Sequence, residues 1–223
     1  MPRYFLVLLL QLASATRVID MAGNYSIENF ACLKSNGVDR AIIRAYHSYG
    51  KIDLDARSNI YNSNKAGLST DVYMFPCRGR NATQQVSELV EYLDSMADSS
   101  SFYSHATGTI WLDIETNPSL GCSWDIGTKE ANCDYIGELV RALGQSGREV
   151  GIYASHYMWT QILGGGQECQ QFTDKLLWYA HYDQKENFDD WEANPFGGWR
   201  LPSLKQYTDG LRICGLLVDM SYY

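Results

Sequence analysis

No Cys-x-x-Cys occurs in this chain, and His47, His105, His156 and His181 show no zinc-like spacing with its cysteines. Neither a metal nor any other cofactor is expected. Basic residues are in short supply: 18 Lys and Arg stand against 26 Asp and Glu, a formal charge of −8. A chain this acidic is a poor partner for nucleic acid or anionic lipid. Beyond the N-terminus no apolar run is long enough to cross a bilayer, so no membrane anchor is expected. Gly164-Gly165-Gly166 has no Lys-Ser/Thr after it and reads as a turn, not a phosphate loop. Ser155-His156 lacks a G-x-S-x-G setting, which argues against a serine hydrolase. Linkers, internal repeats and low-complexity segments are also missing. For 223 residues, one domain is the reading.

What is present starts with a leader. Met1–Ala15 has a basic Arg3, an apolar centre and Ala13-Ser14-Ala15 before Thr16, the three parts of a cleavable secretory signal. Residues 16–223 are then the single mature domain, secreted or held in a digestive or phagocytic vesicle. Loss of Arg3 makes the mature chain one unit more acidic. Cys32, Cys77, Cys122, Cys133, Cys169 and Cys214 all follow the leader, and an even count in an exported chain reads as disulfides. Spacing alone leaves their connectivity open. Asn24-Tyr25-Ser26 and Asn81-Ala82-Thr83 are glycosylation sequons.

Eight β-rich runs recur along the chain: Arg17–Met21, Arg40–Tyr46, Thr70–Phe75, Thr109–Glu115, Val150–Ala154, Leu176–His181, Leu204–Tyr207 and Leu216–Met220. Helical stretches lie between the early ones, at Ser26–Ser35, Asp53–Ala66, Thr83–Met96 and Lys129–Leu143, with a short helix after the N-cap residue Ser155. Strand alternating with helix argues for a parallel sheet, and eight strands in about 200 residues for a (β/α) barrel near its lower size limit. After residue 170 the helical period fades. The expected fold is an α/β, irregular TIM-like barrel with helices missing between its last strands. In such a barrel the loops holding Cys77 and Cys122, after the third and fourth strands, are neighbours, so those two are expected to be bridged. Cys133–Cys169 and Cys32–Cys214 are the pairing expected for the rest.

"GTIWLDIET" (108–116) sends an apolar run into two acids. On a strand, residues i and i+2 share a face, so Asp113 and Glu115 project together, their Cα atoms about 6.5–7 Å apart. Strand C-termini line the mouth of a parallel barrel. Two close carboxylates raise the cost of ionising both, so one keeps its proton nearer neutral pH. An acid beside a carboxylate is the pair glycosidic cleavage requires. A strand end reaching solvent is the plain alternative. Asp20 in "RVIDMA" and Asp219 in "LLVDMSYY" also end apolar runs, on strands that barrel closure makes neighbours.

"GTIWLDIE", "GIYAS", "LWYAHY", "FGGW", "LKQYTDG" and "VDMSYY", in this order, resemble the family 25 glycoside hydrolases. These are lysozymes that cut the β-1,4 bond after N-acetylmuramic acid in peptidoglycan. "FPC", Cys122 near Trp124 and "FGGW" are most similar to the secreted nematode and protist members. The resemblance spans Arg17 to Tyr223 and implies an irregular α/β barrel. It makes Glu115 the proton donor, Asp113 its paired acid, and Asp20 and Asp219 the acids that begin and end the active-site ring. It also implies that Tyr153, Trp178, Tyr182 and Gln206 face the sugar. Many members carry Asp-Val-Ser on the first strand where this chain has Asp20-Met21-Ala22, which leaves open how Asp20 is held.

The expectation is a monomeric, disulfide-stabilised muramidase acting on bacterial peptidoglycan, in digestion or defence. A chitinase-like enzyme and a non-catalytic peptidoglycan-binding protein are the alternatives, and the intact Asp113/Glu115 pair speaks against the second. Best activity is expected in mildly acidic surroundings, with Asp113 ionised while Glu115 keeps its proton. Trp191, Phe196 and Trp199 suit the open end of the barrel better than sugar stacking, because aromatics are more often core. His156 stands near a strand end, where it either lines the groove or simply faces solvent.

Overall fold

A computed structural model describes residues 16–97 and 107–223; the leader at 1–15 and His105 lie outside the described residues. All eight expected strands form: β1 (Arg17–Met21), β2 (Val38–His47), β4 (Ser69–Met74), β5 (Ile110–Asp113), β6 (Val150–Ala154), β7 (Leu176–Ala180), β8 (Leu204–Ile213) and β9 (Leu216–Tyr222). A two-residue strand, β3 (Lys51–Ile52), folds back on the end of β2. The sheet runs β1-β9-β8-β7-β6-β5-β4-β2, and β1 pairs with β2 to close it into an eight-stranded barrel.

Among the described residues five α-helices accompany the strands: α1 (Ile27–Ser35), α2 (Ala56–Lys65), α3 (Ala82–Ala97), α4 (Lys129–Gln145) and α5 (His156–Leu163). Local chemistry sets their starts. Ser26 accepts from Asn29 N–H while the Asn29 side chain returns to the Ser26 N–H, a reciprocal cap on α1. Ser155 caps α5 through Met158 N–H at 3.1 Å. Helix α4 buries Ile136, Leu139, Val140 and Leu143, an i, i+3, i+4, i+7 stripe against the barrel. Truncating such a residue, Leu139→Ala for example, costs about 2–5 kcal/mol.

The parallel pattern breaks at the last strand. Cys214 and Gly215 form a two-residue turn with φ of 54° and 76°, and a turn that short joins antiparallel neighbours. β9 therefore runs antiparallel to both β8 and β1, a departure from the all-parallel barrel. Register irregularities between Gln206 and Leu211 bend this hairpin. Its far end is fastened to α1 by Cys32–Cys214. Cys77–Cys122 and Cys133–Cys169 complete the disulfides, in the pairing the sequence suggested.

Strand alternation sorts inside from outside. Val18, Ile42, Trp111, Tyr153, Trp178 and Leu204 fill the barrel. Below them Asp71 accepts from Arg40, Trp111 Nε1 and the Thr109 N–H, so the buried carboxylate at the base of the barrel is satisfied. Between β7 and β8 no α-helix forms. Trp191, Phe196 and Trp199 are buried, but they do not plug the barrel mouth. They pack against Trp159 of α5 and Tyr179, whose neighbour Trp178 points inward. This aromatic cluster coats the outer face of β7, where the missing helix would lie, because apolar strand faces must be covered from both sides.

Candidate active site

One cleft of about 310 Å³ opens at the C-terminal ends of the parallel strands. Asp20 (β1), Asp113 (β5), Glu115 just beyond β5, Tyr153 (β6), Trp178 (β7), Tyr182 beyond β7, Gln206 (β8) and Asp219 (β9) all line it. These are the eight site residues picked from the sequence. Asp219 joins although β9 is reversed, because register places it directly opposite Asp20. The sequence reading missed Arg44, Ser48, Tyr73 and Phe75, which also face the cleft. Their signal was the period of two: Arg44 shares its face with Ile42, and Tyr73 and Phe75 with Asp71. His156 does not line this cleft. It starts α5 and borders a separate depression with Tyr157, His181 and Asp190.

The acids are held from several directions. Gln206 donates Nε2–H to Asp20 Oδ1 at 2.7 Å, which answers how Asp20 is fixed without the family's usual neighbours. The Gln206 carbonyl accepts from Tyr153 at 2.7 Å and Tyr182 at 2.9 Å, so its orientation is set by two phenols. Asp219 Oδ1 accepts the Gly210 N–H at 2.7 Å. Trp124 Nε1 donates to the Glu115 carbonyl at 2.6 Å and pins the segment after β5. Asp113 is buried, and its Oδ1 has no hydrogen-bond partner among the described residues. A buried carboxyl oxygen left bare is costly, so it is a natural contact for a ligand donor.

Burial and mutual repulsion push every carboxyl in the cleft upward. Asp20 is raised to about 8, first by burial, then by Asp219, with Glu115 adding and the Gln206 bond opposing. Asp113 lies well above its ordinary value, from burial first and then from Glu115 and Asp20. The direction runs against the expectation that Asp113 is the readily ionised member of the pair. Glu115 is raised by burial and by Asp219. Asp219 rises through burial and Asp209, against the Gly210 bond. The chemical consequence is a site that stores protons beyond the ordinary carboxylate range.

His181, Asp183 and Asp190 cluster beside the cleft in a way that would suit a metal ion. The fully buried Lys205 ammonium already lies among them, 2.8 Å from Asp183 and 2.7 Å from Asp190. Asp190 also accepts from Tyr179 and bonds His181. Lys205 offsets part of the acid charge from within, and the cluster ties the 181–203 segment to β8.

A family model described as "Lysozyme-like protein 1" matches residues 11–207. The Dictyostelium discoideum protein "Probable GH family 25 lysozyme 2" is 39% identical over 96% of this chain and 94% of its own length. "Probable GH family 25 lysozyme 4" from the same organism is 34% identical over 99% of each. The solved family GH25 lysozyme from Aspergillus fumigatus superposes with a TM-score of 0.73 at 20% identity, covering 94% of both chains. Fold, matched family and near full-length relatives coincide on one cleft rich in carboxyls, and the chain belongs to the glycoside hydrolase family 25 lysozymes.

Proposed function

We propose that the protein is an exported muramidase that hydrolyses the β-1,4 bond between N-acetylmuramic acid and N-acetylglucosamine in bacterial peptidoglycan. The observation that carries the reading is the Asp113/Glu115 pair at the mouth of the barrel, in a cleft where burial raises both carboxyls. Glu115, the less buried of the two, donates its proton to the leaving glycosidic oxygen as the C1–O bond breaks. The substrate's own 2-acetamido carbonyl bonds to C1, and its N–H is received by the unpartnered Asp113 Oδ1. Water then opens this ring with Glu115 as base, which retains the anomeric configuration.

Gln206, Tyr153 and Tyr182 keep Asp20 in place on the opposite wall, and Trp178 supplies an aromatic surface at the floor. The enzyme works as a monomer outside the cell or in a digestive vesicle, where bacterial walls are broken down for food or defence. The leader motif and the acidic composition support that setting. Product analysis on purified peptidoglycan and on chitin oligomers is the test. New reducing ends on muramic acid are expected; new ends on glucosamine alone would show a chitinase instead, and none on either a binding protein.

A further inference from the structure

Among the described residues that line the cleft, Arg44 is the single cation facing four acids. It sits on β2, paired across to Tyr73 on β4, between the Asp20 strand and the Asp113 strand. Its Nε donates to Asp53 Oδ2 at 2.8 Å, and Asp53 is almost wholly buried, its other oxygen taking the Asp55 N–H at 3.1 Å. One edge of the guanidinium is thus clamped. Its two terminal amino groups make no hydrogen bond among the described residues, and the side chain is 29% exposed.

Burial and nearby acids raise all four cleft carboxyls, and Arg44 is hydrogen-bonded to none of them. What remains is a planar fork of N–H donors held rigidly at the edge of a sugar-sized cleft, the geometry suited to a carboxylate. Muramic acid differs from glucosamine by a single group, the 3-O-lactyl arm, which ends in a carboxyl.

We propose that Arg44 is the specificity residue that reads the lactyl arm, pairing with its free carboxylate and preferring it to the amide. The inference rests on the muramidase reading above. In intact wall the arm is amide-linked to peptide and offers Arg44 only a neutral carbonyl oxygen. Hydrolysis of that amide frees the carboxylate, so the reaction class that supplies the preferred substrate is an amidase that strips peptide from the glycan. Without Arg44 the free acid would meet no cation among the described residues of the cleft.

The test compares kcat/KM on three tetrasaccharides: peptide-free GlcNAc–MurNAc repeats with free lactyl acids, the same glycan with lactyl methylamides, and chitotetraose. For the unaltered enzyme, the free acid should exceed the methylamide by about ten- to a hundred-fold, the range for a charge-assisted pair. In Arg44→Gln that ratio should fall to about one or below, and Arg44→Lys should retain part of it. Removal of Arg44 takes from the buried Asp53 its arginine partner, so Arg44→Gln combined with Asp53→Asn guards against a folding failure and should lose the preference too. A structural role would depress both muramyl substrates in parallel and leave the ratio intact, which overturns the proposal. Equal rates on acid and methylamide by the unaltered enzyme also overturn it while leaving the muramidase reading standing. Cleavage of chitotetraose alone overturns both.

Discussion

Gln206 Nε2 lies 2.7 Å from Asp20 Oδ1, and this bond joins β1 to β8 in a cleft where Asp20 is raised to about 8. The hydrogen bond favours the ionised form, but burial and Asp219 outweigh it. Asp20 therefore carries a proton through most of the range in which the unfolded chain would have lost it.

That difference makes Asp20 a source of instability at neutral pH. Its folded pKa exceeds the unfolded one, so its stabilising share is complete below about 4 and drains away as pH rises toward 8. Asp20→Asn keeps the acceptor for Gln206 and removes the titration. The variant should gain on the order of a few kcal/mol over the parent at pH 8 and little at pH 4. Calorimetric melts at the two pH values check this; an equal gain at both rejects it.

Glu115→Gln retains shape and removes the transferable proton. Hydrolysis should fall by about 10²–10⁴-fold or more, while glycan binding and the melting transition persist. Turnover near that of the parent would remove Glu115 from its assigned role.

Trp124→Phe deletes the donor to the Glu115 carbonyl and keeps most of the ring's packing against Tyr135. Glu115 then loses its anchor, so kcat should drop about ten-fold with KM little changed, in keeping with the cost of small misplacements. A change in KM alone would show that Trp124 serves binding.

Activity on bacterial walls should peak between about pH 4 and 6 and fall as pH rises through the elevated Glu115 value, because the ionised acid has no proton to give. The net negative chain is also repelled by wall anions, most at low salt. Added salt should therefore raise the rate more at pH 7 than at pH 5. A profile still climbing to pH 8 at low salt would contradict both effects.

Non-reducing peptide mapping should return Cys77–Cys122, Cys133–Cys169 and Cys32–Cys214. Replacing both Cys77 and Cys122 by serine should cost about 2–4 kcal/mol, since the bridge closes a long loop in the unfolded chain. An unchanged denaturation midpoint would show that the loop is held by other contacts, such as the Asn117 bonds to Ser48 and Pro76.

Helix α2 starts at Ala56 with no side-chain cap, not at Asp53, which Arg44 holds instead. The strands, the starts of α1 and α5 and the pairing of Asp113 with Glu115 were legible in the chain. Each depends on a few adjacent residues: the pleat repeats every two, and caps at Ser26 and Ser155 act within three. The apolar runs ending in Asp20 and Asp219 placed two more acids at the mouth for the same local reason. Tertiary structure alone decided what those side chains meet. The direction of β9 follows from a two-residue turn at Cys214-Gly215, and the place of Trp191, Phe196 and Trp199 from a bare strand face that only the assembled barrel presents. Arg44 entered the cleft because closure of β1 on β2 turned its face inward. The upward shifts of Asp20 and Asp113 were invisible in the chain order, since desolvation and charge repulsion act through space between residues up to about two hundred positions apart.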